Sequence, residues 1–516
     1  MKKILLFAVV LSAVNICSAQ ETVFSYTHQG ATLYYVINNN GDAMVVPPVY
    51  PYTYSDTTGS WDGYAKPQGA VVIPDSVPYN GSNHAVTAIG FEAFYQCDSI
   101  TSFTLPSTLT KIGNWAFEAC SGLTSIVIPS GVDTVGRGAF YNCTALQTVT
   151  VTEGVTALHD FAFASCSGLE SIAIPSTVTF IGGACFQDDT SLLAVVIPEG
   201  IDTIHQWAFF YCTHLQSVTL PEGLAAINQF AFGECTSLET INFPSTMTVL
   251  GPFAFNKCNS LVSVSLPGSI HTIGHDAFSD CAELQSVVVG EGVVVIDEFA
   301  FTECPKLASV QLPSTLVNLA GAVFQNDRAL TSIVIPASVD SIGQWAFYYC
   351  SNLRSVVLNE GLRAIGTCAF TNCFRLHSIT LPSTLENIGN HAFAIHNRPD
   401  SVTLLGANPP SLFDSTFICF TAILTVPCGS GETYRQHPVW GRFTHIEENS
   451  NGVEVVSDQR PVVSVVDGRI VVEGAEGETV QLFDAMGRQP NTDHLNTGVY
   501  LVKVGDRAPQ KVLLVK

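Results

Sequence analysis

The sequence predicts a mainly β solenoid followed by a small C-terminal β-sandwich, and three observations predict it. Fourteen phenylalanines, from Phe94 to Phe393, stand 23 residues apart without a slip. A fixed period between about 20 and 50 residues marks a stack of coils, because one repeat cannot bury its own apolar face. The 516-residue chain is 47% hydrophobic and only 13% charged, yet past the N-terminus it has no apolar run of about 18 residues, the length that would span a membrane. Its hydrocarbon is periodic instead. From Val462 onward the period is lost and short alternating strands replace it.

Residues 1–19 read as a secretory signal: Lys2 and Lys3, an apolar stretch over 4–14, then Cys17, Ser18 and Ala19 as the cleavage site. A lipidated Cys17 is the competing reading, disfavoured by the bulky Ile16 before it. Removing the signal takes two lysines and leaves 19 basic against 44 acidic residues, a net charge of -25. That charge repels nucleic acid and anionic membrane, so neither is an expected partner. Residues 20–79 are expected to be a β lead-in that covers the first coil. Without such a cover the coil would expose apolar side chains and an unpaired edge.

Residues 80–402 are the repeat array. One unit shows Ile112, Gly113, Trp115, Ala116, Phe117, Cys120, Leu123, Ser125, Ile126, Ile128 and Pro129. Leu123 to Pro129 has the form LxxIxIP, in which Ile126 and Ile128 alternate around Val127 as one buried strand face. A second apolar pair, such as Val132 and Val135, makes another short extended segment. Each coil buries roughly eight apolar side chains at about 1.5–3 kcal/mol apiece before entropy is subtracted. At about 4.8 Å per coil, about fourteen repeats span ~65 Å. A longer rhythm lies within this one: Pro-Ser-Thr recurs at Pro106, Pro175, Pro244, Pro313 and Pro382, and Glu-Gly at Glu153, Glu222, Glu291 and Glu360. The common spacing is three repeats, so the array grew by copying blocks of three.

Eleven of the sixteen cysteines follow the marker phenylalanine by three residues. Side chains at equivalent positions of stacked coils point the same way, whereas a disulfide needs converging Cβ atoms. These thiols therefore read as small buried hydrophobes, not as bridges or metal ligands. Asp189, Asp327 and His396 interrupt the column in one phase of the block. Cys419 and Cys428 lie off the register and flank the strand 423–426, and they are expected to pair as a disulfide.

No catalytic motif is present, and the chain is expected not to be an enzyme and to need no cofactor or metal. His205, His271 and His275 sit beside turns as solvated histidines, and Asp188 with Asp189 is at most a weak cation site. The outward strand positions are bland: Thr104, Val127, Thr150, Ala173, Val196, Thr219, Asn242, Ser265, Val288, Gln311, Val334, Val357 and Thr380. A second outward column, from Ser102 to Ser378, is nearly all serine or threonine. Together they make a long, flat, nearly uncharged face suited to many small contacts with another protein. Tyr95, Tyr141, Phe210, Tyr211, Tyr348 and Tyr349, just after the marker phenylalanine, are candidate anchors.

The recurring LxxIxIP, isoleucine-glycine turn and AFxxC resemble the BspA-like leucine-rich repeat of surface proteins of Bacteroidetes and other host-associated microbes, from about Asn80 to Val402. The resemblance implies a right-handed solenoid with little helix. Leu424, Val426, Pro427, Gly429, Ser430, Tyr434, Trp440, Phe443 and Ile446 are similar to the family's closing segment, so 403–446 is expected to cap the array. Residues 447–461 are then a linker. Residues 462–516 resemble the sorting domain of the type IX secretion system, through VQLFDAMGR, the GVYLVKV stretch with Gly498 and Tyr500, and the terminal KVLLVK from Lys511 to Lys516. These resemblances imply an extracellular or cell-surface protein, exported through the type IX machinery, that adheres to host extracellular-matrix or surface proteins or to other bacterial surface proteins. A structural component of the envelope or biofilm matrix is the alternative.

Overall fold

The computed structural model describes residues 22–50, 60–394 and 399–449, together with the strand backbones at 462–466, 469–473, 480–484, 498–504 and 510–514. The expected signal segment 1–19 lies outside the described residues.

Each coil has three sides. On the first, Ser125–Ile128 pairs in parallel with Thr148–Val151, residue against the residue 23 later: Ser125 with Thr148, Ile126 with Val149. Side chains alternate between solvent and core, so Ile126 and Ile128 are buried while Ser125 and Val127 face out. On the second side run two-residue strands, Lys111–Ile112, Thr134–Val135 and Ala157–Leu158, again in parallel and in the same register. The isoleucine-glycine turn closes this side because coils approach very near there. A Cβ on Gly136 would lie 2.6 Å from the Gly113 carbonyl carbon.

The third side holds no strand. Its alternate N–H groups donate along the stack, Trp115 to Arg137 O at 2.8 Å and Phe117 to Ala139 O at 2.7 Å, while those between turn back within their own coil, Cys120 to Phe117 O at 3.2 Å. That zigzag requires left-handed backbone two residues either side of the phenylalanine, with φ of 57° at Trp115 and 56° at Ala119.

Inside, the marker phenylalanines form one stack, with centroids 4.9 Å apart for Phe117 and Phe140 and 5.8 Å for Phe163 and Phe186. The stack continues to Phe417, whose ring lies 5.3 Å from that of Phe393 although 24 residues separate them. The unit has about 16 turns with almost no helix, more than the fourteen counted from phenylalanine spacing. The extra turns arise where the ends also wind in register. Gly69–Val72 pairs with Ile100–Thr104, and Ile423–Val426 and His445–Glu448 prolong the other end. The last strand carries Glu447 and Glu448 opposite Thr425 and Val426, so the linker expected from 447 begins inside a strand.

The 69-residue rhythm has a mechanical meaning. The Glu-Gly turn of one coil grips the Pro-Ser-Thr turn of the next: Ser314 N–H donates to Glu291 Oε1 at 3.0 Å and Ser314 Oγ to Glu291 Oε2 at 2.9 Å. Glu153 with Ser176, Glu222 with Ser245 and Glu360 with Ser383 repeat the clasp, and Asp75 with Ser107 opens the series.

Both ends of the coil stack are covered. The antiparallel strands Phe24–His28, Ala31–Ile37 and Ala43–Val46 continue the second side and bury Leu33 and Tyr35. At the far end, the helix Gly431–Gln436 and the short turn Trp440–Arg442 set Tyr434 and Trp440 over the last ring. Tyr434 Oη donates to Gly406 O at 2.7 Å and Trp440 Nε1 to Pro410 O at 2.9 Å. Asn449–Lys516 is a separate unit. In it Val462–Val466 pairs antiparallel with Arg469–Glu473, and Val480–Asp484, Gly498–Val504 and Gln510–Leu514 form a three-stranded antiparallel sheet.

Removing one ring leaves a void walled by two others that the stack prevents from collapsing. Phe255→Ala is expected to cost about 3–5 kcal/mol in chemical denaturation followed by circular dichroism, whereas the outward Thr150→Ala should stay within about 0.5 kcal/mol.

Candidate functional site

The outward column of the first side is solvent-facing, as its strand alternation requires. Of the thirteen positions from Thr104 to Thr380, all are exposed except Val357 and Thr380, which are half-buried. Val127 and Val196 are 56% and 64% exposed, unusual for valine, and stand beside serine and threonine hydroxyls in ladders such as Ser263, Ser286 and Ser309. The face therefore offers methyl and hydroxyl groups in rows, with no charged group among the thirteen. Such a surface can be covered by another protein at little cost in desolvation.

The interior thiols are not chemically idle. Cys120 Sγ donates to Phe94 O at 3.2 Å and Cys143 Sγ to Phe117 O at 3.1 Å, and the contact recurs 26 residues back at Cys166, Cys212, Cys235, Cys258, Cys281, Cys304, Cys350 and Cys373. Burial pushes the Cys97 thiol up to about 12 and holds Cys120 well above its ordinary range. These are structural donors, not nucleophiles.

Asp189 and Asp327 occupy two thiol positions with no exposure at all. Asp189 Oδ1 accepts from Cys166 N–H and Asp327 Oδ1 from Cys304 N–H, each at 2.8 Å, while both Oδ2 atoms are buried without a partner. Burial holds both carboxyls well above the usual range. The N–H groups of Cys166 and Cys304 partly oppose this, while Asp188 adds to it at Asp189 and the Cys304 thiol and Glu303 add to it at Asp327. The weak cation site considered for Asp188 and Asp189 is not formed: Asp189 is enclosed in the core, and no group of three metal-ligating side chains occurs among the described residues.

The Cys419–Cys428 bond expected from the sequence is not made. Cys428 is an exposed free thiol, and Cys419 Sγ meets Thr421 Oγ1 at 3.0 Å. The strand Ile423–Val426 lies between them in sequence. Of the sorting residues, Gly498 and Tyr500 lie on Gly498–Val504 and Lys511 on Gln510–Leu514, with Leu501 opposite Lys511. Lys516 lies outside the described residues. His275 Nε2 stands 2.9 Å from Asp276 Oδ2. No helix among the described residues is long and apolar enough to cross a membrane.

A family profile described as the BspA type Leucine rich repeat region (6 copies) matches residues 87–215, 181–297 and 272–400. Among solved structures, a leucine-rich repeat protein from Bacteroides ovatus ATCC 8483 aligns over 72% of this chain and 96% of its own, at 28% identity and a TM-score of 0.54. A leucine rich cell surface protein from Faecalibacterium prausnitzii A2-165 aligns over the same shares, at 26% identity and a TM-score of 0.43. No curated protein matches.

Two outcomes follow from the interior. A carboxyl whose folded pKa is raised contributes stability fully present below its unfolded pKa, and loses it as pH rises through the folded value. Raising pH from about 5 to about 9 should therefore lower the melting temperature of the wild type more than that of D189N/D327N, whose amide oxygens keep the bonds from Cys166 and Cys304 without ionising. Alkylation of native protein should modify Cys428 and spare the column thiols, as read by peptide mass mapping.

Proposed function

The chain belongs to the BspA type leucine-rich repeat family, and on that premise we propose that it is an exported protein that binds other proteins through the neutral face of its long-strand sheet. The observation that carries this reading is the continuous outward column of small methyl and hydroxyl groups, Val127, Val196 and Val288 among them, over most of the repeat array. A solenoid spreads many weak contacts over a long rigid surface, and this one has no group on that face to do chemistry. Its partners on this reading are host extracellular-matrix or surface proteins or other bacterial surface proteins, and its activity is adhesion.

Export rests on the N-terminal signal and on the likeness of 462–516 to type IX sorting domains. The terminal segment with Gly498, Tyr500, Lys511 and Lys516 then serves the secretion machinery, and the coil array serves recognition. The thirteen-position face is the proposed contact surface. The sheet alternation that aims it at solvent also explains its tolerance of Thr, Val, Ala, Asn, Ser and Gln, since none of these is needed inside.

Affinity capture from host and bacterial surface extracts with the mature chain, followed by titration of the captured protein, tests this reading. The double variant V196E/V288E places two charges on the face without touching the core. It should weaken binding at least tenfold, about 1.4 kcal/mol, while unfolding as the wild type does. Unchanged affinity would refute the assignment of the face. Self-association in light scattering, with no captured partner, would favour a matrix component instead.

A further inference from the structure

The third side carries a second surface of different chemistry. Two residues before each marker phenylalanine the backbone is left-handed, and the chain places bulky rings there: φ is 58° at Trp207, 55° at Phe230, 56° at Phe253 and 60° at Phe299. Large aromatic residues are strained in this region, where glycine or asparagine is at ease. The fold does not demand them, since Gly138, Ala184 and Ala322 fill the same position in other coils with the same backbone. The rings are half-buried and run on: Phe230 stacks on Phe253 at 4.5 Å, and His275 bridges Phe253 and Phe299 at 5.5 Å each.

The charges around these rings have one sign. At the turn positions flanking the marker phenylalanines over 206–303 stand Glu234, Asp276, Asp280, Glu298 and Glu303, against one base, Lys257, which Glu234 already holds at 3.0 Å. The chain itself shows what such a surface accepts. On the same side, the guanidinium of Arg137 lies 5.3 Å from the ring centre of Phe161, and that of Arg328 5.3 Å from Tyr349.

We propose that this aromatic and acidic stripe, from Trp207 to Glu303, is a docking site for an extended protein segment bearing arginine and lysine. Cations lie over the ring faces and edges left open between coils, and the carboxylates of Asp280, Glu298 and Glu303 take their N–H donors. Coils repeat at about 4.8 Å and alternate residues of an extended segment at about 6.6 Å, so a strand laid along the array meets two or three successive rings before it drifts out of phase. The inference does not rest on the sheet face, and either surface can fail without the other.

The test uses the whole mature protein and a synthetic extended peptide of alternating arginine and serine, with citrulline in place of arginine as the neutral control. Isothermal titration should show the arginine peptide binding at least tenfold more tightly than the citrulline one, and weakening as salt rises. E298Q/E303Q, which removes two exposed charges from the stripe, and Y211A, which removes an exposed ring, should each weaken it at least fivefold. The control E170Q/E239Q removes the same number of exposed charges elsewhere and should match the wild type. Equal affinity for the two peptides, or equal loss in the control and stripe variants, would overturn the proposal and leave only the pull of net charge.

Discussion

The whole array depends on equal coil length, enforced at once by a ring stack inside and hydrogen-bond ladders on all three sides. The inward phenylalanine of each coil must land on the one before it, so the side-one strand, the side-two strand and the turn must each return to the same height. Deleting one residue would misalign the rings, flip the strand faces and break both sheets together. That coupling keeps the spacing constant from Phe94 to Phe393 while the outward residues change freely. The closing turn shows the same constraint locally, because Gly136 packs against Gly113 with no room for a methyl group.

A stack this dry must still dispose of backbone carbonyls that the turn side leaves under-bonded. Cysteine suits the column because it is small, apolar and a weak donor that reaches the phenylalanine carbonyl of the preceding coil. Aspartate in the same slot accepts from Cys166 or Cys304 N–H through Oδ1, and burial favours its neutral form.

Much of this was legible in the sequence because it follows from a period. The two inward isoleucines, the phenylalanine column, the buried thiols and the outward serine and threonine rows all come from position within 23 residues. What escaped depends on three-dimensional contacts without a fixed spacing. Phe417 joins the stack across an interval of 24 because one extra residue lies between Leu404 and Ser411, where the pairing offset rises from 23 to 24, so counting by 23 stops one ring early. The left-handed residues beside each phenylalanine carry no glycine signature, since here the ladder between coils imposes the conformation on tryptophan and alanine alike. Cys419 and Cys428 looked paired because both were off register, but the strand between them is extended. The Glu-Gly and Pro-Ser-Thr motifs were visible as a rhythm. Only the stacking of coils shows that Glu291 and Ser314 are one clasp, not two markers.

The outer surface divides according to what each side can vary. On the long-strand side, both outward columns are held mostly to small neutral residues, so successive coils present nearly the same chemistry and the area of that face scales with length. On the turn side, the position two before the phenylalanine ranges over tryptophan, glycine, phenylalanine, alanine, aspartate, cysteine and histidine without altering the backbone. A surface that repeats gives reach, and a surface that varies gives identity. Because every coil contributes to both, copying a block of three repeats lengthens the first without erasing the pattern of the second. Recognition can then change by substitution at the turns while the stack that supports it stays the same.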